Sequence, residues 1–434
     1  MGILSDRESV LFSGWIEGAD NVSRETAIAK KRLRLIQDAD VDNSGHISTR
    51  KGYTLAATGN VHSVWTDTLY LYAVVNGVLT AFDANLAPTP IQSGIGPYEY
   101  LTYTSVNGYV YWSSAGQNGR FDAALTASPI GLGAPATPLL SVVANGALDA
   151  GVYQVAVTAI DVDGTETGAA SPAVASVSAS NGLTVAFQGV PANAVSLNVY
   201  MSDANGAQLY LAGTYPAGTS SVTLTRRLVG KILDTEFLAP MPPGTPLFQH
   251  GARVFAARGP YLWFSEPFKP GYTKYTNYLR FPAPIACAGS FGSGPDASMV
   301  VCAGNRTYLA TGVEPQAMAR RIVRYAGGVA GSMVQVMTGV FADPNAESQE
   351  AVADGVGLFW IGTDGQPCLA MPGGAIQTLT PSRAETNMFG DWGATLLRAS
   401  DGLTQIVSTV RGGTTNALVA SDSAVATVYK QASV

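Results

Sequence analysis

Charge is what this sequence has least of. Of 434 residues only 13% are Asp, Glu, Lys or Arg, about half of ordinary usage. A soluble monomer carries more, so part of the surface is expected to lie under a partner. The formal net charge is −6, and no basic stripe of the kind that tracks phosphates runs through the chain. The densest positive run, Lys30-Lys31-Arg32-Leu33-Arg34, reads as the solvated face of a short helix. Cysteine is scarce too. Cys287, Cys302 and Cys368 are odd in number and widely spaced, which argues against a disulfide framework or a zinc knuckle and leaves buried free thiols. No apolar run approaches the ~18 residues of a membrane helix, so no membrane insertion is expected. The first 15 residues lack the basic-then-apolar order of a secretory signal. Asp6 stands where N-myristoylation needs Ser or Thr. The expectation is synthesis in the cytoplasm with nothing directing export.

What is present is apolar material (47%) and 48 glycines, the makings of many short strands joined by tight turns. One unit recurs: a strand, a Gly-containing turn, then a strand rich in Tyr, Trp, Phe or Val. "LYLYAVVNGVLTAFDANL" (69–86) and "YLTYTSVNGYVYWSSAG" (100–116) are the clearest copies, each with the Asn-Gly signal of a two-residue hairpin. Their glycines, Gly77 and Gly108, lie 31 residues apart. Looser copies are marked by Gly259, Gly304, Gly355 and Gly402, at spacings of 45, 51 and 47. That is close to the period of a four-stranded propeller blade, about 40–50 residues. The 151 residues between Gly108 and Gly259 exceed one blade. They hold a Gly/Pro-rich linker (131–140) and then strands such as "GVYQVAVTAID" and "VSLNVYMS", the Asp163-Gly164 turn and Ala170-Ser171-Pro172. In the first strand Tyr153, Val155 and Val157 face one way and Val152, Gln154 and Ala156 the other. This stretch resembles a fibronectin type III or immunoglobulin-like module. The expected fold is all-β: a β-propeller of about five to seven blades with an inserted β-sandwich and an N-terminal extended arm. The boundaries are 1–37 for the arm, which carries one short helix, 38–135 and 241–434 for the propeller, and 136–240 for the insert.

Residues 38–54, "DADVDNSGHISTRKGYT", offer two readings. Read from Asp40, the alternating carboxylates and Gly45 match part of a helix-loop-helix calcium site. Its twelfth position must carry a bidentate Glu, and here it is Lys51. The expected structure is therefore a β-hairpin turning at Asn43-Ser44-Gly45.

Chemistry finds little purchase. His46, His62 and His250 are the three histidines, and none neighbours a Gly-x-Ser-x-Gly elbow. Residues 289–294, Gly-Ser-Phe-Gly-Ser-Gly, are not in the strand-to-helix setting a nucleophile needs. Glycoside hydrolysis needs two facing carboxylates. Glu266, Asp354, Asp364 and Asp391 are candidates, but Asp354, Asp364 and Asp401 each precede a Gly and read as turn residues. "SDANGAQLY" (202–210) is only loosely like a sialidase Asp box, and "RRIVR" (320–324) is contiguous rather than gathered from several blades. The aromatics of "YLWF" (261–264) and of Phe359-Trp360 suit blade core. No catalytic, metal-binding or cofactor-binding residue is expected, and no cofactor.

"ADNVSRETAIAKKRLRLIQDADVDNSGHISTRKGYT" followed by "HSVWTD…LYAVVNGVLTAFD" resembles the start of tail nozzle or tail hub proteins of short-tailed bacteriophages. There an Asn-rich segment leads through an Leu-Arg, Asp, Asp-Gly, Arg and Gly-Tyr series into a propeller. Asn21-Val22, Leu33-Arg34, Asp40, Asp42, Gly45, Arg50 and Gly52-Tyr53 stand at the matching places. Residues 253–268 and 308–316 also look like recurring pieces of these proteins. The resemblance covers most of the chain outside the insert. It implies a virion tail component: a ring, usually hexameric, below the portal and adaptor, through which the genome leaves and around which fibres or spikes attach. An acidic wall would let DNA slide without sequence-specific binding. The alternative is a tail propeller that binds or cleaves glycans on the host surface.

Overall fold

The structure is a computed structural model. It describes residues 57–227, 229–292, 294, 297–338, 355–379, 390–400, 403–411 and 425–429, with short pieces at 23–24, 27–28, 32–33, 39–41 and 46–49. Most of the arm, and the helix expected in it, lie outside the described residues. Contacts divide the chain into two compact units, Met1–Tyr98 with Phe281–Val434, and Glu99–Arg280.

In the first unit β1 (Ala39–Val41) and β2 (Ile47–Thr49) pair antiparallel, with Asp40 opposite Ser48. The segment is thus a hairpin and not a helix-loop-helix; its turn residues 42–45 lie outside the described residues. β3 (Val61–Thr66), β4 (Leu71–Val75), β5 (Val78–Phe82) and β6 (Pro88–Ser93) form one four-stranded antiparallel sheet in chain order. Asn76 and Gly77 both have positive φ, 51° and 82°. That is the turn geometry whose twist matches two antiparallel strands, and it is why Asn-Gly sits there. Pro88 and Pro90 lie on the outer strand β6, where a missing N–H costs no ladder bond.

The second unit opens with β7 (Thr102–Val106), β8 (Tyr109–Ser113), β9 (Asn118–Phe121) and β10 (Ala127–Ser128), again in chain order. Seven strands follow: β11 (Ala136–Leu148), β12 (Gly151–Ile160), β13 (Ala173–Val177), β14 (Asn181–Gln188), β15 (Ser196–Ser202), β16 (Leu209–Pro216) and β17 (Ser221–Leu224). They make a three-stranded sheet β11-β14-β17 and a four-stranded sheet β13-β12-β15-β16. Tyr153, Val155 and Val157 from one sheet and Leu183 and Val185 from the other share a single buried core, each side chain contributing roughly 1.5–3 kcal/mol of burial. The alternation seen in the sequence is thereby explained. The strand order differs from the ABED/CFG split of an immunoglobulin constant domain. β18 (Leu238–Pro240) pairs with β22 (Tyr272–Lys274). β19 (Leu247–His250), β20 (Arg253–Arg258), β21 (Tyr261–Phe264) and β23 (Tyr278–Arg280) form another four-stranded sheet.

The first unit resumes with β24 (Ile285–Phe291), β25 (Ser298–Ala303), β26 (Arg306–Thr311) and β27 (Ala319–Arg324). A second sheet holds β28 (Val334–Met337), β29 (Val356–Ile361), β30 (Pro367–Ala370) and β31 (Ile376–Thr378). β32 (Trp392–Ser400), β33 (Leu403–Arg411) and β34 (Val425–Tyr429) form a three-stranded sheet. These are sequential antiparallel meanders, the blade unit of a propeller. The chain is all-β, of the β-propeller class.

Two markers of the repeat are displaced. Asn76-Gly77 joins the second and third strands of its sheet, whereas Asn107-Gly108 joins the first and second of the next. The equivalent turn there contains Gly116, 39 residues after Gly77. Likewise Gly355 precedes β29, and the inner turn of that sheet is Asp364-Gly365.

Candidate functional site

Two buried polar clusters stand out in the second unit. The first joins the sandwich to the blade-type sheets. After β12 the chain turns at Asp161-Val162-Asp163-Gly164, where Asp161 Oδ1 accepts the N–H groups of Asp163 (3.0 Å) and Thr165 (2.8 Å). The other oxygens point away from the turn. Asp161 Oδ2 accepts the Tyr272 hydroxyl at 2.9 Å. Asp163 Oδ1 accepts the Tyr109 hydroxyl at 2.8 Å, and Oδ2 pairs with Arg120 Nη1. The Arg120 guanidinium lies 4.4 Å from the Tyr109 ring centre, a cation–π geometry, and donates to the Tyr111 hydroxyl at 3.4 Å. Burial works against its charge, but the bonds to Tyr111 and Asp163 outweigh that and raise its pKa. Four strands, β8, β9, β12 and β22, therefore meet through one charge pair and three tyrosines.

Tyr272 also accepts the buried Leu132 N–H at 3.1 Å. Tyr272→Phe leaves that N–H and Asp161 Oδ2 each short of a partner. The expected cost is about 1–3 kcal/mol, read as a lower urea midpoint with unchanged slope.

The second cluster is built on Glu166, which is almost fully buried. Its Oε1 accepts from Thr158 Oγ1 (2.6 Å), Asn198 Nδ2 (2.8 Å) and Tyr200 OH (2.6 Å), and its Oε2 pairs with Lys231 Nζ. Lys231 arrives on a return segment that pairs antiparallel with the edge strand β16 through a Tyr210–Ile232 bridge. The backbone of that segment bonds Leu211 and Leu209, and Leu233 packs with Ala156, Tyr200 and Leu209. Burial alone would raise the Glu166 pKa; the donors Asn198, Lys231, Thr158 and Tyr200 together lower it. Arg120 Nε is buried without a hydrogen-bond partner, while the carboxylates of both clusters are engaged by protein donors. Both are ties.

The exposed surface has a different character. Phe237 and Tyr275 meet edge to face with ring centres 6.0 Å apart, yet are 58% and 69% exposed. Phe268 is 79% exposed, and Tyr278 leans on Tyr261 and Trp263. In the first unit Tyr325 is 82% exposed, and Tyr98, Leu69 and Met337 are also exposed.

Among the described residues, the carboxylates and histidines singled out in the sequence have separate surroundings. Glu266 accepts from Asn277 Nδ2 at 2.7 Å and lies 3.7 Å from Lys274 Nζ. Asp364 occupies its turn and pairs with Arg324. Asp391 is exposed just before β32. Asp354, Asp401 and Ser293 lie outside the described residues. His46 is exposed, His62 is buried beside Ser63 with its pKa lowered by that burial, and His250 is buried against Phe255. Arg320, Arg321 and Arg324 share the outer strand β27. Leu262, Phe264, Phe359 and Trp360 are core, as their strand spacing implies, whereas Tyr261 and Trp263 are half-buried. Of Arg120, Asp161, Glu166 and Tyr272 the sequence gives no signal. Only the Asp-Gly turn at 163–164 is visible, and nothing local says that its carboxylates face Tyr109 and Arg120. Among the described residues no group of three His, Cys, Asp or Glu side chains is placed to hold a metal ion.

No family model and no curated protein matches the sequence. Among solved structures the chain is similar to the tricorn protease, at 11% identity over 86% of this chain and 30% of that one, with a TM-score of 0.20. It is similar also to a protein from Lactobacillus plantarum, at 11% identity over 79% of this chain and 89% of that one, TM-score 0.32. A third similar structure is the N-terminal domain of Nup159, at 9% identity over 80% and 72% of the two chains, TM-score 0.25.

Proposed function

We propose that this chain is a structural subunit of a short-tailed bacteriophage tail. It forms a nozzle or hub ring, hexameric as in the proteins it resembles, that continues the DNA-ejection channel below the portal and adaptor and offers attachment to fibres or spikes. The observation that carries this reading is the exposed aromatics, Phe237, Phe268 and Tyr275 in one unit and Tyr325 in the other, on a chain with only 13% charged residues. Such a surface is tolerable where neighbours cover it. The hairpin at Asp40 and Ser48, in the segment that bears the family resemblance, and the succession of blade-type sheets are consistent with it. The net charge of −6 suits a channel wall from which phosphates slide. Glu266 and Asp364 are engaged by Asn277, Lys274 and Arg324, which weighs against the glycan-cleaving alternative.

Native mass spectrometry tests it, on the purified chain alone and mixed with the adaptor of the same particle. A ring, formed alone or only on the adaptor, is expected. Phe237→Ala with Tyr275→Ala should reduce ring formation at least tenfold, as loss of interface aromatics does, with little change in monomer stability. A monomer in every mixture rejects the proposal.

A further inference from the structure

Cys287 and Cys302 are 15 residues apart in sequence, too far to suggest a pair, yet they stand directly opposite each other on β24 and β25. Opposed residues of an antiparallel ladder have Cα atoms about 4.5 or 5.5 Å apart and side chains on the same face. A disulfide needs a Cα separation of about 4.4–6.8 Å. The register, which resumes at Cys287 after an irregularity between Ile285 and Cys287, is compatible with that separation in either kind of pair. The side chains converge. Both sulfurs lie against Gly328, where an added β-carbon would collide with each of them, and both sit in one buried core with Val300, Leu358 and Trp360. Cys368 belongs to the same core, but its strand neighbours are Trp360 and Thr378. Its Sγ is directed to the Gln366 carbonyl, 3.5 Å away.

We infer that Cys287 and Cys302 form a latent cross-strand disulfide, one that closes within the native blade without moving its backbone when the chain folds in an oxidising medium. The co-reactant is a low-molecular-weight disulfide. Thiolate exchange forms the Cys287–Cys302 S–S bond, both thiol protons are lost, and the reagent leaves as two thiols. Two electrons pass from the cysteines to the reagent.

Timing follows from the surroundings. The contact with Cys302, and then burial, hold the Cys287 thiol well above its ordinary pKa, and burial pushes Cys368 up to about 12. A closed blade therefore exposes almost no thiolate to attack. The bond forms during folding or when β24 and β25 part. A chain made in a reducing compartment keeps the thiols.

The test uses the full chain. It is unfolded, refolded in a glutathione buffer of extracellular oxidising composition, then denatured under an alkylating reagent and mapped by peptide mass. The expected result is a mass about 2 Da lower before alkylation, one alkylated cysteine per chain at Cys368, and a linked peptide pair carrying Cys287 and Cys302. Cys368→Ser should keep the link, and Cys302→Ser should abolish it. Three alkylated cysteines in correctly refolded chain, or a link that includes Cys368, overturns the inference.

Discussion

Glu166→Ala should destabilise the sandwich by about 3 kcal/mol or more, because three buried donors lose their acceptor at roughly 1–3 kcal/mol apiece. The magnitude follows from what is left behind. Thr158, Asn198 and Tyr200 all direct donors at Oε1, and Lys231 at Oε2. Removing the carboxylate strands the three buried donors, while the Lys231 ammonium, 53% exposed, is rehydrated. Glu166→Gln is expected to be intermediate, because the amide keeps one acceptor oxygen but turns an N–H₂ towards existing donors. Amide exchange along β12 and β15, read by mass spectrometry, localises the effect. The pH dependence has a definite sign. The folded pKa of Glu166 lies below its ordinary value, so its stabilisation is complete above the unfolded carboxyl pKa of about 4.3. It is lost as pH falls through the folded value. The difference in stability between the native chain and Glu166→Ala should shrink on acidification. A difference that stays constant from neutral pH down to acid unfolding would show that the charge on Glu166 contributes nothing.

That cluster also shows where sequence reading stops. Local chemistry was legible: Asn76-Gly77 and Asn107-Gly108 make the turns their residues demand, and the alternation of Tyr153, Val155 and Val157 faces a real core. An Asn-Gly pair reports a turn, however, and not which two strands of a sheet it joins. The 31-residue spacing of Gly77 and Gly108 therefore mixed two different turns. Pairings that cross long stretches were invisible. Lys231 reaches Glu166 across 65 residues and Arg120 reaches Asp163 across 43, and neither partner has a local pattern that announces the other. The sandwich could be anticipated from periodicity, but β12 lies beside β15 rather than β11, a choice made by packing and not by any turn. The exposed aromatics were hidden for the opposite reason. Phe268, Tyr275 and Tyr278 have the composition of blade core, and only their position at loops and a sheet edge puts them in solvent.

Arg120→Ala should loosen the sandwich from the blade-type sheets of its own unit. Arg120 lies on β9 with Tyr111 and Ser128 as its cross-strand neighbours. Its side chain is nearly buried, while that of Asp163 is about one third exposed. Truncation removes the partner of Asp163, the donor to Tyr111 and the cation over Tyr109 at once, an expected loss of about 3 kcal/mol. Lys is a poor substitute, since its single ammonium cannot stack on Tyr109 while bonding both Tyr111 and Asp163. Asp163→Ala leaves the nearly buried Arg120 guanidinium without its counter-ion, whereas Arg120→Ala leaves a carboxylate that water can reach, so the loss in Asp163→Ala should be at least as large as in Arg120→Ala. The double mutant should lose less than the sum of the two, with a coupling of about 1–3 kcal/mol. Stacking on Tyr109 survives when Asp163 is removed, which offsets part of the cost of the unpaired guanidinium. Limited proteolysis separates a local from a global effect. Cleavage in the Gly/Pro-rich linker at 131–136 should accelerate in Arg120→Ala, while amides of β12 and β15, held by the sandwich's own core and by Glu166, keep their protection. If those amides lose protection in step with the linker, the tie is part of the sandwich's folding unit and not a docking contact.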